Sequence, residues 1–239
     1  MKRVSSIFLV IAIVVSSIFA SDILQKESFS SVNAKSEWSC KESKKVYKDS
    51  KKRVRGIVSY QYPKFTGNSK AIKKINADMR KQCKKFMKSS DAKSIKESVN
   101  DAIKNKQFID VNNTYEHYYY ESTFEITYEK DNIICISTSY NWYAGGAPYY
   151  GKKNYTYNMK TGKKLTYKDV ISGNAKKKII KKCEEMFKDT WDYEEVMKKV
   201  KKKKSYQFYL KDGKVYVCFE RGELVYNGAP EIEFETKYK

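Results

Sequence analysis

Residues 118–143 read YYYESTFEITYEKDNIICISTSYNWY. The first half of this stretch has a period of two. Tyr118, Tyr120, Phe124, Ile126 and Tyr128 fall on one side, and Glu121, Thr123, Glu125, Thr127 and Glu129 on the other. That alternation predicts a half-buried strand. Asp131-Asn132 supplies side chains that tolerate the backbone of a tight turn. A second strand over 133–143 follows, apolar on both faces. The segment Ala144-Gly-Gly-Ala-Pro148 reverses the chain again, and Tyr149, Tyr155 and Tyr157 line one face of a third strand that ends at Thr161-Gly162. Three consecutive strands joined by short turns predict an antiparallel meander.

Upstream, Val54, Ile57, Val58, Tyr60 and Tyr62 predict a strand stopped by Pro63. Asn68 or Ser69 then caps a helix whose apolar stripe is Ile72, Ile75, Met79, Cys83 and Phe86, at spacings of three and four. Ile95, Val99, Ala102 and Ile103 continue a weaker helical period. Downstream, a helix near Asn174 carries Ala175, Ile179, Ile180, Cys183 and Phe187 on one stripe. Two short strands, 206–210 and 215–219, flank Asp212-Gly213, a strong hairpin signal. Ile232, Phe234 and Thr236 alternate with Glu231, Glu233 and Glu235 in a last strand. Strands and helices are grouped rather than alternating. The fold class expected is α+β, a mainly antiparallel sheet (meander plus C-terminal hairpin) with amphipathic helices packed on one face, in two interlocked halves, 53–150 and 151–239.

The N-terminus bears on location. Lys2 and Arg3 precede an uncharged run, 4–20, rich in Ile, Val, Leu, Phe and Ala. This is the layout of an export signal. Cleavage after Ala20 and retention of 4–20 as an anchor are both open, and membrane contact is expected only in the second case. Residues 21–52, rich in Ser, Lys and Glu, read as a flexible tether. The expected location is extracytoplasmic, secreted or membrane-anchored through 4–20.

Export gives meaning to the charge. The chain has 49 Lys plus Arg against 28 Asp plus Glu, a net +21. Outside the cytoplasm the available polyanions are wall polymers, anionic lipid head groups and acidic glycans rather than nucleic acid. Lys predominates, which favours diffuse attraction over bidentate recognition. The densest run, Lys198 to Lys204, is broken only by Val200 and reads as a solvated face.

The sequence offers little for catalysis. Of the five cysteines, Cys83 and Cys183 lie on apolar stripes and read as small buried hydrophobes. An odd count leaves room for a disulfide among Cys40, Cys83, Cys135, Cys183 and Cys218 without choosing its partners. There is no C-x-x-C, and His117 is the sole histidine, so no metal site and no cofactor are expected. His117 shares the polar side of its strand with Tyr119 and Glu121 and has no evident partner for acid–base work. The rows Glu121-Glu125-Glu129 and Glu231-Glu233-Glu235 read as solvent faces opposite Lys. The candidate binding residues are Trp142, Tyr143, Gly145, Gly146, Tyr149 and Tyr150, around the Gly-Gly-Ala-Pro turn. The glycines permit the reversal. The aromatics either pack on the sheet or form a ridge with large contact area at low entropic cost.

Several of these elements resemble an extracytoplasmic domain of unknown function from Gram-positive bacteria. The same domain forms the outer part of lysozyme-sensing anti-sigma factors, and a related one precedes the catalytic domain of some peptidoglycan deacetylases. The matching residues are Val58-Ser-Tyr-Gln-Tyr-Pro63, Ile75-Asn76, Tyr143-Ala-Gly-Gly-Ala147, Tyr157-Asn-Met-Lys-Thr-Gly-Lys-Lys-Leu-Thr166 with Asp169-Val170, Phe208-Tyr-Leu210 and Gly228-Ala-Pro-Glu-Ile232. They span roughly 54–238. The family often has His after Gly-Gly-Ala; here Pro148 stands there, so no histidine role carries over. Only three residues precede the apolar run, so a sigma-binding segment is not expected, nor is a deacetylase domain. The resemblance implies a non-enzymatic binding domain at the cell envelope, its partner a lysozyme-like protein or an anionic wall polymer. The strong positive charge weighs against basic lysozymes. The alternatives are a small envelope hydrolase, which needs a cluster of perturbed carboxylates, and a structural protein that adheres to the wall by charge alone.

Overall fold

A computed structural model describes residues 36–107, 117–224 and 228–238. The 4–20 run and the first part of the expected tether lie outside the described residues. The described chain is a single compact α+β unit. In order it carries β1 (Trp38–Lys48), β2 (Val54–Phe65), α1 (Lys70–Met87), α2 (Ser90–Lys104), β3 (Tyr118–Lys130), β4 (Ile133–Tyr143) and β5 (Tyr149–Asn158). Then come α3 (Tyr167–Val170), α4 (Ala175–Phe187), α5 (Tyr193–Lys202), β6 (Gln207–Lys211), β7 (Lys214–Cys218) and β8 (Glu231–Glu235).

The first five strands form one sheet in the order β1-β2-β3-β4-β5, and the last three form another, β6-β7-β8. Every pairing is antiparallel except β2 with β3, which is parallel. A parallel pair needs a crossover, and α1 and α2 provide it. Ser69 caps α1 by accepting the Ile72 N–H at 3.1 Å, and Ser89 caps α2 through the Ala92 N–H at 3.2 Å. Both helices lay their stripes on one face of the sheet. Ile95 and Val99 meet Val58 and Tyr120, while Ile75 and Met79 meet Ile134, Ile136 and Tyr157.

The other face carries a separate core. Ile133 and Cys135 pack there against α4, α5 and the three-stranded sheet, with Ile179, Val196, Val200, Leu210, Val215 and Val217 all fully buried. Cys135 Sγ accepts the Leu210 backbone N–H at 3.4 Å. Strand β4 is therefore covered on both sides, which is why 133–136 is a continuous apolar run. The hairpin between β6 and β7 turns with Asp212 and Gly213 at φ 48° and 73°, the two positive values that a type I′ turn requires. Val200 alone of the Lys-rich run is buried; it anchors α5, whose lysines otherwise face outward.

Four expectations need correction. Residues 38–48 are not tether but strand β1, which pairs with β2 along its whole length. It is an edge strand, exposed on most of both faces, so it lacks the alternation that marks a half-buried strand. Its lysines suit an edge that must not recruit other strands. Pro63 does not end β2, which runs to Phe65. The partner β3 leaves β2 after Tyr60. Asn76 takes over the abandoned side, accepting the Phe65 N–H and donating to its C=O, both at 2.9 Å. Pro63 shares the parity of Phe65, so its missing N–H falls on that same vacated side. Tyr128 does not share a face with Ile126. The register shifts between them, so that Ile126 opposes Ile136 but Tyr128 opposes Cys135. This bulge turns Tyr128 into the second core. Finally, the division at 150/151 falls inside β5, which belongs to the first sheet. The helices also divide between the cores: α1 and α2 cover the first sheet, while α4 packs in the second core, against α5 and β8.

Candidate functional site

On the helix-covered face, the first sheet is incompletely roofed. A hollow of about 520 Å³ remains between α1 and the segment 205–208. Its floor comes from four strands: Tyr60 of β2, Tyr120 and Ser122 of β3, Thr138 and Tyr140 of β4, Lys153 and Tyr155 of β5. The pairing puts them on one face, since Tyr60 opposes Ser122, Ser122 opposes Tyr140, and Thr138 opposes Lys153. Phe86 of α1 stacks on Tyr120 with ring centroids 3.9 Å apart and lies 4.9 Å from Tyr60. Tyr120 meets Tyr140 edge-on at 6.0 Å, and Tyr140 meets Tyr149 at 6.1 Å. A chain of rings thus runs from the floor to the end of the Gly-Gly-Ala-Pro loop. Gly151 makes the Tyr140 position available: it lies directly opposite, and a Cβ there would come within 2.1 Å of the Tyr140 ring.

Three lysines and one carboxylate, Asp91, line the rim. Lys164 Nζ lies 4.5 Å from the Tyr155 ring centroid and 3.7 Å from the Asp78 carboxylate. Lys153 Nζ stands 5.7 Å from the Tyr140 ring, and Lys85 adds a third ammonium. Burial pushes the Lys164 ammonium below its ordinary value despite the opposing pull of Asp78. Burial pushes the Tyr60, Tyr120, Tyr140 and Tyr155 hydroxyls up. They stay protonated at any physiological pH and act as neutral hydrogen-bonding groups. Ring faces, phenol hydroxyls and a cationic rim make a surface for a polyhydroxylated, negatively charged ligand.

Of the displaced carboxylates only Asp78 stands beside the hollow, through Lys164, and all are occupied. Burial raises Asp49 and Asp78, but hydrogen bonds outweigh it and hold both below the carboxylate range, from Arg53 and Arg55 to Asp49 and from Tyr157 and Gln82 to Asp78. For Asp169, burial likewise opposes, yet Lys163 at 2.7 Å and the Thr166 hydroxyl and N–H at 2.7 and 2.8 Å set it at about 2. His117 is half-buried beside Tyr119, with ring centroids 6.1 Å apart. The Glu231-Glu233-Glu235 row is exposed, with Lys214 Nζ 2.6 Å from the Glu233 carboxylate. Among the described residues no group of three His, Cys, Asp or Glu is arranged to hold a metal ion. All five cysteines are unbridged; Cys83, Cys135 and Cys183 are buried and Cys40 is exposed.

The six residues around the turn divide between two roles. Trp142 is half-buried against the α2 core, its indole N–H 3.4 Å from Ser94 Oγ. Tyr143 packs edge-on to Tyr118 at 5.9 Å and tilted on Tyr119 at 5.7 Å. Gly145 turns at φ 93°, and Gly146 faces open space. Tyr149 and Tyr150 are 38% and 52% exposed. Tyr150 borders a second cleft of about 410 Å³ with Gly151, Lys152, Phe219 and Arg221. This cleft shares Tyr140 and Gln207 with the hollow. The incoming limb of the loop is thus packing; on the outgoing limb Tyr150 lines the second cleft, and Tyr149 touches the hollow only through the Tyr140 ring. Sequence reasoning missed Tyr60, Tyr120, Lys153, Tyr155 and Lys164 as site residues. The even parity of Tyr118, Tyr120 and Tyr140 was the available signal, but the strand pairing was needed to assemble it.

Comparison with known proteins agrees with this architecture. Residues 47–148 match the model of a family described as Deacetylase PdaC. The match runs from the end of β1 through β4 and stops just before β5. No curated protein matches the chain. Among solved structures, a member of the DUF3298 family from Bacteroides fragilis is 16% identical, with 84% of this chain and 90% of that one covered and a TM-score of 0.53. A DUF3298 family protein from Pseudomonas aeruginosa is 14% identical over 84% and 89% of the two chains, with a TM-score of 0.45. The first of these similarities shows that the two-sheet fold recurs in a protein of the DUF3298 family.

Proposed function

We propose that this protein is an exported, non-enzymatic binding domain of the bacterial cell envelope, and that the tyrosine-lined hollow takes a segment of an anionic wall polymer. The observation that carries the reading is the joint presence of protonated tyrosine hydroxyls and three lysine ammoniums around one concavity of about 520 Å³. The similarity of 47–148 to a family named for a deacetylase supports an accessory role beside wall chemistry. The net charge of +21 supports attraction to a polyanion and weighs against a basic lysozyme-like partner. The four displaced carboxylates, Asp49, Asp78, Asp169 and Glu233, are held in ion pairs or hydrogen bonds, which supports binding over hydrolysis.

The test is sedimentation of the purified protein with isolated cell walls, at low salt and at about 0.5 M salt. Lysozymes immobilised on beads serve as the protein comparison. The expected result is wall binding that weakens in salt but persists, and that falls about tenfold in Lys164→Ala and Tyr155→Ala, as the loss of one charged or stacking contact implies. Binding abolished by salt and indifferent to both substitutions would reduce the protein to a polycationic adherent. Tight capture by lysozyme with no retention on walls would overturn the polymer reading.

A further inference from the structure

Strand β5 is the outer strand of the first sheet, and its free side is closed by the protein itself over only part of its length. Even-numbered residues point their backbone N–H and C=O away from β4. The Asn154 N–H donates to Gln207 Oε1 at 3.3 Å. The Thr156 C=O accepts from the Leu165 N–H at 2.7 Å, and the Asn158 N–H donates to the Lys163 C=O at 2.9 Å. The two remaining outward positions are Tyr150 and Lys152. Among the described residues none donates to or accepts from their backbones. Both residues are exposed and border the 410 Å³ cleft. Unlike β1, this edge is reached through a concavity with aromatic walls, Tyr140, Tyr150 and Phe219.

We propose that this open segment of β5 binds an extended peptide from a partner protein, which adds a strand beside Tyr150–Lys152 in the manner of β-augmentation. This goes beyond the polymer reading and uses different atoms, the β5 backbone rather than the hollow's side chains. Two outward backbone positions two residues apart repeat at about 6.8 Å, the spacing of a strand and not of a sugar chain. Gln207 terminates the open stretch because its side-chain amide already occupies the next position. Charge selects the occupant. Lys152 and Arg221 are exposed at the cleft, whose other charged residues are Glu220 and Glu231 on the side of the three-stranded sheet, and the whole chain carries +21, with Lys152 the charged group at the open positions themselves. A second copy of this chain, itself carrying +21, would meet net repulsion at this edge. An acidic segment fits, with a carboxylate beside Lys152 and an apolar side chain over Tyr150. Glu231 on the far wall is already engaged by the Tyr209 hydroxyl at 2.8 Å.

The test uses the whole protein and an acetylated, amidated octapeptide in which Thr alternates with Glu and Val. Binding is followed by the hydrogen exchange of the Tyr150 and Lys152 amides. The expected result is slowed exchange at these two amides and no such protection by a peptide N-methylated at alternate residues. Lys152→Pro removes an outward donor while leaving the inward ladder to β4 intact, and it should weaken binding about tenfold. Lys152→Ala keeps the donor and should weaken it less. If Lys152→Pro disturbs the fold, the N-methylated peptide alone decides the question. Absence of protection at millimolar peptide overturns the proposal, as does equal binding of the methylated peptide. Protection of the Lys152 amide by isolated wall polymer, or by concentration-dependent self-association, would assign the edge to those occupants instead.

Discussion

The two cores of this molecule sit on opposite faces of one sheet and are built from different chemistry. Beneath the three-stranded sheet the buried side chains are mainly aliphatic: Ile179, Val196, Val200, Leu210, Val215 and Val217 are all fully covered. Beneath α1 and α2 the corresponding positions carry hydroxyls: Tyr60, Tyr120, Tyr140, Tyr155 and Tyr157. The aliphatic core also holds Tyr128, Tyr167 and Tyr206, and the hydroxyls of Tyr128 and Tyr167 are buried there without a partner among the described residues. The α1 and α2 side instead retains a lysine-rimmed hollow of about 520 Å³. The difference teaches that aliphatic packing and a polar concavity lie on opposite sides of β4, and the proposed binding role predicts that a substitution on the first side acts mainly on stability and one on the second mainly on affinity.

The largest effect should come from the aliphatic side. Ile179→Ala removes a fully buried side chain from the middle of α4. It should lower the unfolding free energy by about 3 kcal/mol in a urea titration, with wall binding at native conditions unchanged. A coincident loss of binding affinity would mean that the two sides are not separable. An intermediate effect belongs to the tyrosine side. The Tyr157 hydroxyl donates to the Asp78 carboxylate at 2.6 Å, so Tyr157→Phe should cost about 2 kcal/mol, the range for a hydrogen bond to a charged group. It should also release Lys164 from its ordered partner, which a binding titration would read as a changed salt dependence.

The smallest effect concerns Asp169 at the start of α3. Its folded pKa of about 2 lies below the ordinary value of about 3.9. A depressed carboxylate stabilises the fold above its unfolded pKa and loses that contribution as pH falls through the folded one. Asp169→Asn should therefore cost about 1 kcal/mol near neutral pH, and the gap between variant and parent should close from pH 4 to pH 2. A gap constant with pH would show that the carboxylate charge contributes nothing. Thiol labelling sharpens the same contrast without mutation. Burial sets Cys183 at about 12 and also raises Cys135 and Cys40, but of the three only Cys40 is exposed to a reagent. At pH 8 a thiol reagent should modify Cys40 readily and reach Cys135 and Cys183 only on unfolding.

Sequence periodicity gave away the elements that are buried on one face. The β3 alternation, the α1 and α4 stripes and the Asp212-Gly213 turn all stand where their spacing puts them. It failed where burial is absent or the count is broken. Strand β1 has water on both faces, so its residues carry no period. Tyr128 keeps its parity in sequence but loses it in space, because the bulge adds one residue to β3. Of the six residues picked out around the turn, only Tyr150 lines either concavity. Tyr60 and Tyr155 share one concavity because a parallel crossover and two hairpins bring β2 and β5 onto the same face, and no local pattern encodes that.

The bulge also bears on how the molecule comes apart. A single strand, β3, gives Tyr120 to one core and Tyr128 to the other within eight positions. Neither core closes unless that strand is in place, and placing it commits both. Two cores of contrasting chemistry could melt as separate foldons. This shared strand instead ties them into one cooperative transition, with a denaturant slope that reflects the whole compact unit and amides of β3 and β4 exchanging only when every part of it opens.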